Sequence, residues 1–256
     1  MPSNHSFCVF VTRLFVVALG ATAIGWGVLV FPIFWQHAPL ERVAKRILSG
    51  QPYKQEALLA LLPAVQRIEE EEYCRSSALA AATLIRLRIL EELMASGDRQ
   101  LMEGQLSTLS VSIQRSLLCS PANPFLWMVL YWVDMTQNGF GSNQMKLLRL
   151  SYQLGPNEGW IGIKRSPLAF NVFESLPPDL AEATISEFLG LLNSAFFRQT
   201  AEIFAGPAWR VKDRILARLN EVRPSNRQIF ARLLFEDGFA IEIPGVIQRD
   251  QRPWRR

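Results

Sequence analysis

Hydrophobic residues dominate one stretch near the start of the chain and then recur with helical spacing almost to its end. Residues 14–35 read "LFVVALGATAIGWGVLVFPIFW" and contain no charged side chain. As a helix this stretch is about 33 Å long, enough to cross the ~30 Å hydrocarbon layer of a membrane. Trp35 then falls at the far interface, where amphipathic rings prefer to lie. The pattern predicts a transmembrane helix over 14–35, preceded by a short tail over 1–13.

A cleaved signal peptide is the alternative to an anchor. Residues 21–23, "ATA", fit the small-residue pattern of a cleavage site, and Arg13 could be the basic end of a leader. However, uncharged residues continue from Ile24 to Trp35, whereas a cleavage site normally opens into a polar region. We therefore predict an uncleaved, single-pass anchor.

The sequence supports both orientations of this anchor. Arg42, Lys45 and Arg46 come after the helix, and counting basic residues alone would keep the long C-terminal part in the cytoplasm. A short tail before one long apolar helix is, however, typical of a signal anchor that exports the C-terminal domain. Charge alone leaves the topology open.

Small residues four apart occur twice within the span, as Ala21 with Gly25 and as Ala23 with Gly27. This spacing lets two membrane helices approach closely. The pattern therefore offers a seam for a homodimer, although such pairs are common in membrane helices.

Beyond the span, apolar residues at spacings of three and four predict helices separated by short breaks rich in Pro, Gly, Ser and Asn. A helix is expected to start at Pro39, a second near Pro52 with a kink at Pro63, and a third to run from Ser77 to Gly97. Further helices are expected after Asp98 and Asn123 and over the segments near 143–155, 157–176, 177–197, 206–222 and 225–238. The final stretch, "FAIEIPGV", is expected to be extended.

Two breaks resemble each other. "SPANPFLW" and "GPNEGW" place Pro121 and Pro156 35 residues apart, each followed by a tryptophan, Trp127 and Trp160. A spacing near 34 residues is that of a tetratricopeptide unit, a pair of antiparallel helices. We predict that each break ends one helix and that the tryptophan wedges the next helix against its neighbour.

The predicted fold is therefore all-α. One N-terminal transmembrane helix precedes a tetratricopeptide-like antiparallel helical-repeat domain over 36–240, and a basic tail occupies 241–256.

Composition excludes two broad classes. Hydrophobic residues make up 49% of the 256 residues, which excludes an intrinsically disordered protein. The net charge is +4, and the basic residues cluster only in "RDQRPWRR" at 249–256. A nucleic-acid-binding protein would show a basic face interleaved with exposed aromatic residues, and no such face is found. The acidic run "EEEE" at 69–72 is interpreted as a solvated helix face.

The three cysteines, Cys8, Cys74 and Cys119, lack the spacing of a metal site. The favoured interpretation of Cys74 and Cys119 is two small buried thiols. The alternative is a disulfide between them, if this part of the chain lies outside the cytoplasm.

No catalytic constellation is recognisable, and the sequence predicts no catalytic residue, cofactor or metal. The two histidines, His5 and His37, flank the membrane span, which removes histidine-based triads and common zinc sites from the helical domain.

Aromatic and basic residues supply the candidate interaction site. Trp127, Tyr131, Trp132 and Trp160 could line a cleft that stacks on sugar rings, although such residues at helical spacing are more often core. Lys164 and Arg165 could bind an anionic sugar or phosphate there, but side chains snorkelling on a helix surface are favoured. The candidate interaction residues are Trp132, Trp160, Lys164 and Arg165.

Two segments carry a family resemblance. "RSLLCSPANPFLWMVLYWV" at 115–133 and "LLRLSYQLGPNEGWIGIKR" at 147–165 resemble the VpsP-like polysaccharide-biosynthesis proteins of bacteria, with their "SPxNPxxW" and "LRxSxxxGPxE" motifs. The resemblance covers roughly 105–195 and the layout of anchor and helical domain. An extra glycine before Trp160 departs from a strict repeat.

The resemblance implies an accessory role in making or exporting a surface polysaccharide. It places the anchor in the inner membrane of a Gram-negative bacterium, the helical domain in the periplasm, and polysaccharide polymerisation or export proteins as partners. A helical scaffold is the first hypothesis for the mechanism, and a carbohydrate-binding or carbohydrate-modifying protein that uses the aromatic cleft is the alternative.

Overall fold

The computed structural model describes residues 4–96 and 99–246, and over these residues the secondary structure is helical, with no strand. The all-α prediction is confirmed. "FAIEIPGV" has no regular secondary structure. Most of the predicted basic tail, from residue 247 onward, lies outside the described residues.

The first helix, α1 (Asn4–Leu48), is 45 residues long and continues past the point where the sequence predicts a break. Pro32 and Pro39 both lie inside it, so the prediction of a new helix starting at Pro39 is wrong. Each proline removes one backbone hydrogen bond, yet the helix continues to Leu48, with Leu40 and Ala44 buried.

The apolar part of α1 is long enough to cross a membrane. The span runs over Val9–Phe31, 23 residues, and none of it is buried inside the protein. The predicted 14–35 and this span share residues 14–31. A core helix of this length would be covered on most sides, whereas the rest of the protein covers no side of this one.

The chain separates into two compact units, Met1–Arg115 and Ser116–Arg256. The helical part that the sequence predicts as one domain over 36–240 is thus divided between them. The first unit contains α1 and four further helices: α2 (Gln55–Leu59), α3 (Leu62–Glu70), α4 (Ser76–Ser96) and most of α5 (Arg99–Cys119).

Helix α4 is the centre of the first unit, since α1, α2 and α3 all pack against it. It buries Ile85 and Ile89 completely, and α1 contributes Leu40 and Ala44 to the same core. The kink predicted at Pro63 is a full break, because this proline lies in the first turn of a separate helix, α3.

One carboxylate of the acidic run is not part of a solvated face. Glu69, the penultimate residue of α3, pairs with the nearly buried Arg86 of α4 through two hydrogen bonds of 2.6 and 2.5 Å. The interpretation of 69–72 as solvent-facing throughout is therefore wrong at Glu69. The pair connects α3 to α4 beside the apolar core.

The second unit contains seven α-helices among its described residues. They are α6 (Pro124–Asn138), α7 (Ser142–Leu154), α8 (Gly159–Asn171), α9 (Pro178–Asn193), α10 (Phe197–Ala205), α11 (Lys212–Leu216) and α12 (Pro224–Glu236). Short 3₁₀ turns occupy Phe173–Ser175, Trp209–Val211 and Leu219–Glu221.

These helices pack as successive pairs. Helix α6 packs on α7, α8 on α9 and α10 on α12, while α8 also contacts both α6 and α10. Phe188 of α9 is completely buried at the centre, with the rings of Phe170, Phe204 and Phe230 at centroid distances of 6.0 to 6.2 Å. Aromatic contacts between neighbouring pairs thus form the core of this unit.

Two predictions about the last helices are wrong. The helix expected over 177–197 ends at Asn193, and the separate helix α10 that follows is not predicted. The break is hidden because Ala195, at φ 67°, occupies the left-handed turn position where a glycine would normally mark it. The single helix expected over 206–222 is instead the short α11 flanked by 3₁₀ turns.

Cys74 and Cys119 are disulfide-bonded. Cys74 is exposed and Cys119 is half-buried. The favoured interpretation of two buried thiols is therefore wrong.

Packing of α1 on α4 can be tested with one substitution on each side of α1. Leu40→Ala should lower the free energy of unfolding by about 2–5 kcal/mol, because it removes a buried side chain and leaves a cavity. Lys45→Ala, at an exposed position of the same helix, should change it little. Denaturant titration of the full-length protein in detergent micelles measures both. Equal effects would mean that α1 does not pack on α4.

Candidate functional site

The Pro-Asn break before α6 is a helix cap. The Asn123 side-chain oxygen accepts hydrogen bonds from the backbone N–H groups of Phe125 and Leu126, at 3.1 and 3.3 Å, which satisfies two donors that the first turn leaves unpaired. Pro124 occupies the first helical position. The prediction that a helix starts here is confirmed.

Trp127 helps to fix this break. Its indole N–H donates a 2.7 Å hydrogen bond to the backbone oxygen of Pro121, and its side chain is only half-buried. Trp127 therefore links the loop at Pro121 to the first turn of α6. Its neighbours Phe125 and Leu126, by contrast, are buried.

The two motifs that carry the family resemblance contact each other. The Ser151 hydroxyl of α7 donates a 2.9 Å hydrogen bond to the backbone oxygen of Pro124. A Cβ on Gly155 would lie only 2.6 Å from the Pro124 ring, so this position accepts glycine and no larger residue without a shift. The "SPxNP" and "SxxxGP" elements are thus two sides of one packing contact.

Arg165 lies at the centre of this arrangement. Its side chain is 0% exposed, and all five of its N–H donors have acceptors. One terminal nitrogen donates to the Ser151 backbone oxygen at 2.6 Å and to the Ser151 hydroxyl oxygen at 2.9 Å. The other donates to the Gly155 backbone oxygen at 2.9 Å and to Glu187. Arg165 therefore caps the C-terminal end of α7 from within α8.

Glu187 of α9 neutralises this buried cation. Its carboxylate accepts a 3.0 Å hydrogen bond from Arg165 Nε and another 3.0 Å bond from the Ser166 hydroxyl. Its side chain is only 6% exposed. A buried charge is tolerated when it is paired and hydrogen-bonded in this way.

Tyr152 completes the cluster. The Arg165 guanidinium lies 4.1 Å from the centre of the Tyr152 ring, and the tyrosine hydroxyl donates to Thr184 at 3.2 Å. Burial, and then the negative charge of Glu187, raise the pKa of Tyr152 well above its usual value. The hydroxyl is therefore a neutral hydrogen-bond donor at physiological pH.

A cleft of about 320 Å³ lies beside this cluster, between α8 and α9. Its floor includes Glu187 and Tyr152, and its walls carry small residues, among them Gly159, Gly162 and Gly190. This volume is at the lower end of the range of small-molecule sites.

The four predicted interaction residues differ in their exposure. Lys164 is exposed and Trp132 is half-buried. Trp160 is 43% exposed, with its ring 5.2 Å from that of Phe125 and its indole N–H donating to Glu158 at 3.1 Å. Arg165 is buried, so both of its sequence-based interpretations, as a surface ligand and as a snorkelling side chain, are wrong.

The structure also differs from the prediction of an aromatic cleft. Tyr131 is buried, and burial raises its pKa to about 12. It cannot line an open sugar-binding surface. Of the four aromatic residues predicted for the cleft, Trp160 is the one with an exposed side chain.

Sequence reasoning missed Glu187 and Ser151, which accept hydrogen bonds from Arg165. Helical spacing could have placed Arg165 inside, since Ile161 and Ala169 lie four residues to either side of it and both are buried. The partner Glu187 lies 22 residues away in another helix, where no local pattern connects the two.

Within the described residues, no three His, Cys, Asp or Glu side chains lie close enough together to hold a metal ion. Comparison of this chain with protein-family models, with curated proteins and with solved structures finds no match. The resemblance to VpsP-like proteins therefore depends on the motif residues themselves.

The buried pair can be tested against an exposed one. Arg165→Met should lower the free energy of unfolding by about 3–5 kcal/mol, because it leaves the Glu187 carboxylate buried without its partner. Arg149→Met breaks a hydrogen-bonded pair with Asp179 that is largely exposed, and it should change stability little. Denaturant midpoints of the full-length variants in micelles give the comparison. Similar losses for both would contradict the burial of Arg165.

Proposed function

We propose that this protein is a membrane-anchored helical accessory protein that supports the synthesis or export of a bacterial surface polysaccharide. In this proposal α1 holds it in the inner membrane and the helical part acts in the periplasm as a scaffold for polymerisation or export proteins. The observation that carries the proposal is the succession of helix pairs in the second unit.

The pairs supply a surface for partners. Helices α6 and α8 begin at Pro124 and Gly159, 35 residues apart, and each is the first member of a pair. Contacts of α8 with α6 and α10 connect successive pairs, as in a tetratricopeptide-like stack. Such stacks present extended surfaces that bind proteins without requiring any chemistry.

Helix α1 supports the anchor. The helix does not end near the "ATA" sequence at 21–23 but continues to Leu48, and its C-terminal part packs on α4. Cleavage after Ala23 would remove most of the Val9–Phe31 span. The faces that carry Gly25 and Gly27 have open space around them, which leaves room for a second copy of the span with Ala21 and Ala23 at the seam.

The cysteines support an extracytoplasmic location. Disulfides persist in oxidising compartments such as the periplasm and are rare in the cytoplasm. The disulfide-bonded state of Cys74 and of Cys119 therefore favours export of the helical part. This orientation needs the three basic residues after the span, Arg42, Lys45 and Arg46, to be translocated, and long domains can be translocated regardless of such charges.

A carbohydrate-binding or carbohydrate-modifying role around Trp127, Trp132 and Trp160 is the second candidate. The exposed ring of Trp160, held by Phe125 and Glu158, favours it, because a fixed aromatic face can stack on a sugar. Trp127 and Trp132 contribute only half-buried side chains. We therefore place the scaffold first.

The scaffold role is tested by deletion and rescue in the source bacterium. Deleting the gene should reduce or shorten a surface polysaccharide, measured by gel analysis of extracted polymer. Full-length protein should restore it, whereas the helical part secreted without α1 should restore little, because tethering raises the effective concentration at the membrane. A version in which an unrelated membrane span replaces residues 9–31 is the matched control and should restore it.

Topology is checked in the same strain. A reporter that is active only outside the cytoplasm, fused after residue 245, should be active. Activity of a cytoplasmic reporter at that position would contradict the periplasmic assignment. Unchanged polysaccharide in the deletion strain would contradict the accessory role itself.

A further inference from the structure

We infer that the cleft between α8 and α9 binds a neutral, polyhydroxylated ligand, the chemistry of a saccharide unit. This site is separate from the exposed ring of Trp160 and goes beyond the scaffold role. It is carried by three features of the second unit: the space between the helices, the glycine that opens it, and the charge balance of its floor.

The space exists because the facing residues are small. Gly159 and Gly162 of α8 and Ala183, Ser186 and Gly190 of α9 line the cleft. Packing inside the protein explains why two of these positions are glycine. A Cβ on Gly159 would lie 2.7 Å from the Phe196 ring, and one on Gly162 would lie 3.1 Å from the Glu187 carboxylate.

Packing inside the protein does not explain the glycine at position 190. It lies within α9, where glycine costs about 1 kcal/mol relative to alanine, and a Cβ at this position would meet nothing within 4 Å. The residue therefore leaves helix backbone open to the cleft without helping any internal contact. Because Gly190 lines the cleft, a ligand there can approach the helix backbone closely.

The floor favours neutral ligands. Glu187 forms a salt bridge with Arg165, so the pair has no net charge. Arg165 uses all its donors inside the protein, so it has none to offer to an anion. At the rim, Glu158 adds a single negative charge, which disfavours anions further.

Hydroxyl groups match the remaining chemistry. The carboxylate of Glu187 accepts hydrogen bonds, and the cleft is also lined by Ser194, with its hydroxyl, and by Asn157, with its amide. Acceptors together with groups that both donate and accept suit a ligand whose hydroxyls do the same. A volume of about 320 Å³ limits the bound part to a unit or two of such a ligand.

The test fills the cleft without disturbing its floor. Gly190→Leu places a side chain in the open space and replaces a helix glycine, so the thermal midpoint should stay the same or rise. Gly104→Leu in α5 is the matched control, since its Cβ also meets nothing within 4 Å and it lies in the first unit.

Binding is measured by saturation-transfer NMR on the full-length protein in a detergent without sugar headgroups. The probes are glucose and N-acetylglucosamine, with glucuronate as the anionic comparison. We expect transfer to at least one neutral sugar in the wild type and in Gly104→Leu, about a tenfold or greater loss of signal in Gly190→Leu, and weaker transfer to glucuronate.

Three results would overturn the inference. The first is no transfer to either neutral sugar in the wild type. The second is binding that Gly190→Leu leaves intact while Trp160→Ala removes it. The third is transfer to glucuronate that equals transfer to the neutral sugars. None of these results bears on the deletion phenotype, so failure of the ligand site and failure of the scaffold role are distinguishable.

Discussion

A buried guanidinium must have an acceptor for each of its five N–H groups, and the second unit is arranged around this requirement. The acceptors of Arg165 come from the last turn of α7, from the loop after it and from Glu187 of α9. One side chain of α8 therefore connects three consecutive helices. Moving any of them would leave a charge or a carbonyl group buried without a partner, at a cost comparable to a large part of a domain's stability.

Such a pair does more to select one arrangement than to add stability. Removing two charges from water is costly, and hydrophobic residues of similar volume in their place often stabilise a core equally well. We infer that Arg165 and Glu187 set the register of α8 against α7 and α9. The close contact of Gly155 with Pro124 acts in the same direction, because it brings the α7–α8 loop against the start of α6.

Local features of the fold are predictable from sequence because their causes are local. Asn123 and Pro124 mark the start of α6, and an uncharged stretch marks the exposed span of α1. The break after α9 is hidden because Ala195 occupies a position where glycine is usual. No local pattern shows that α1 continues through two prolines or that it packs against α4.

The site is less accessible to sequence reasoning than the fold. Arg165 comes directly after Lys164, and two adjacent basic residues resemble a surface pair, although successive helix residues point about 100° apart and only Lys164 faces solvent. The cleft beside Glu187 results from two helices that meet through small side chains, which requires knowing the pairing. Pairing of helices distant in sequence is the information that a single sequence lacks.

The hydrogen bonding of the Arg165 side chain can be measured in solution. Heteronuclear NMR of the full-length protein labelled with ¹⁵N-arginine in micelles would resolve its N–H groups, assigned by their loss in Arg165→Met. If Arg165 organises the second unit, its terminal nitrogens should give separate, slowly exchanging signals, because each is held by two acceptors. Signals that exchange with water as fast as those of the more exposed Arg149 would contradict this role.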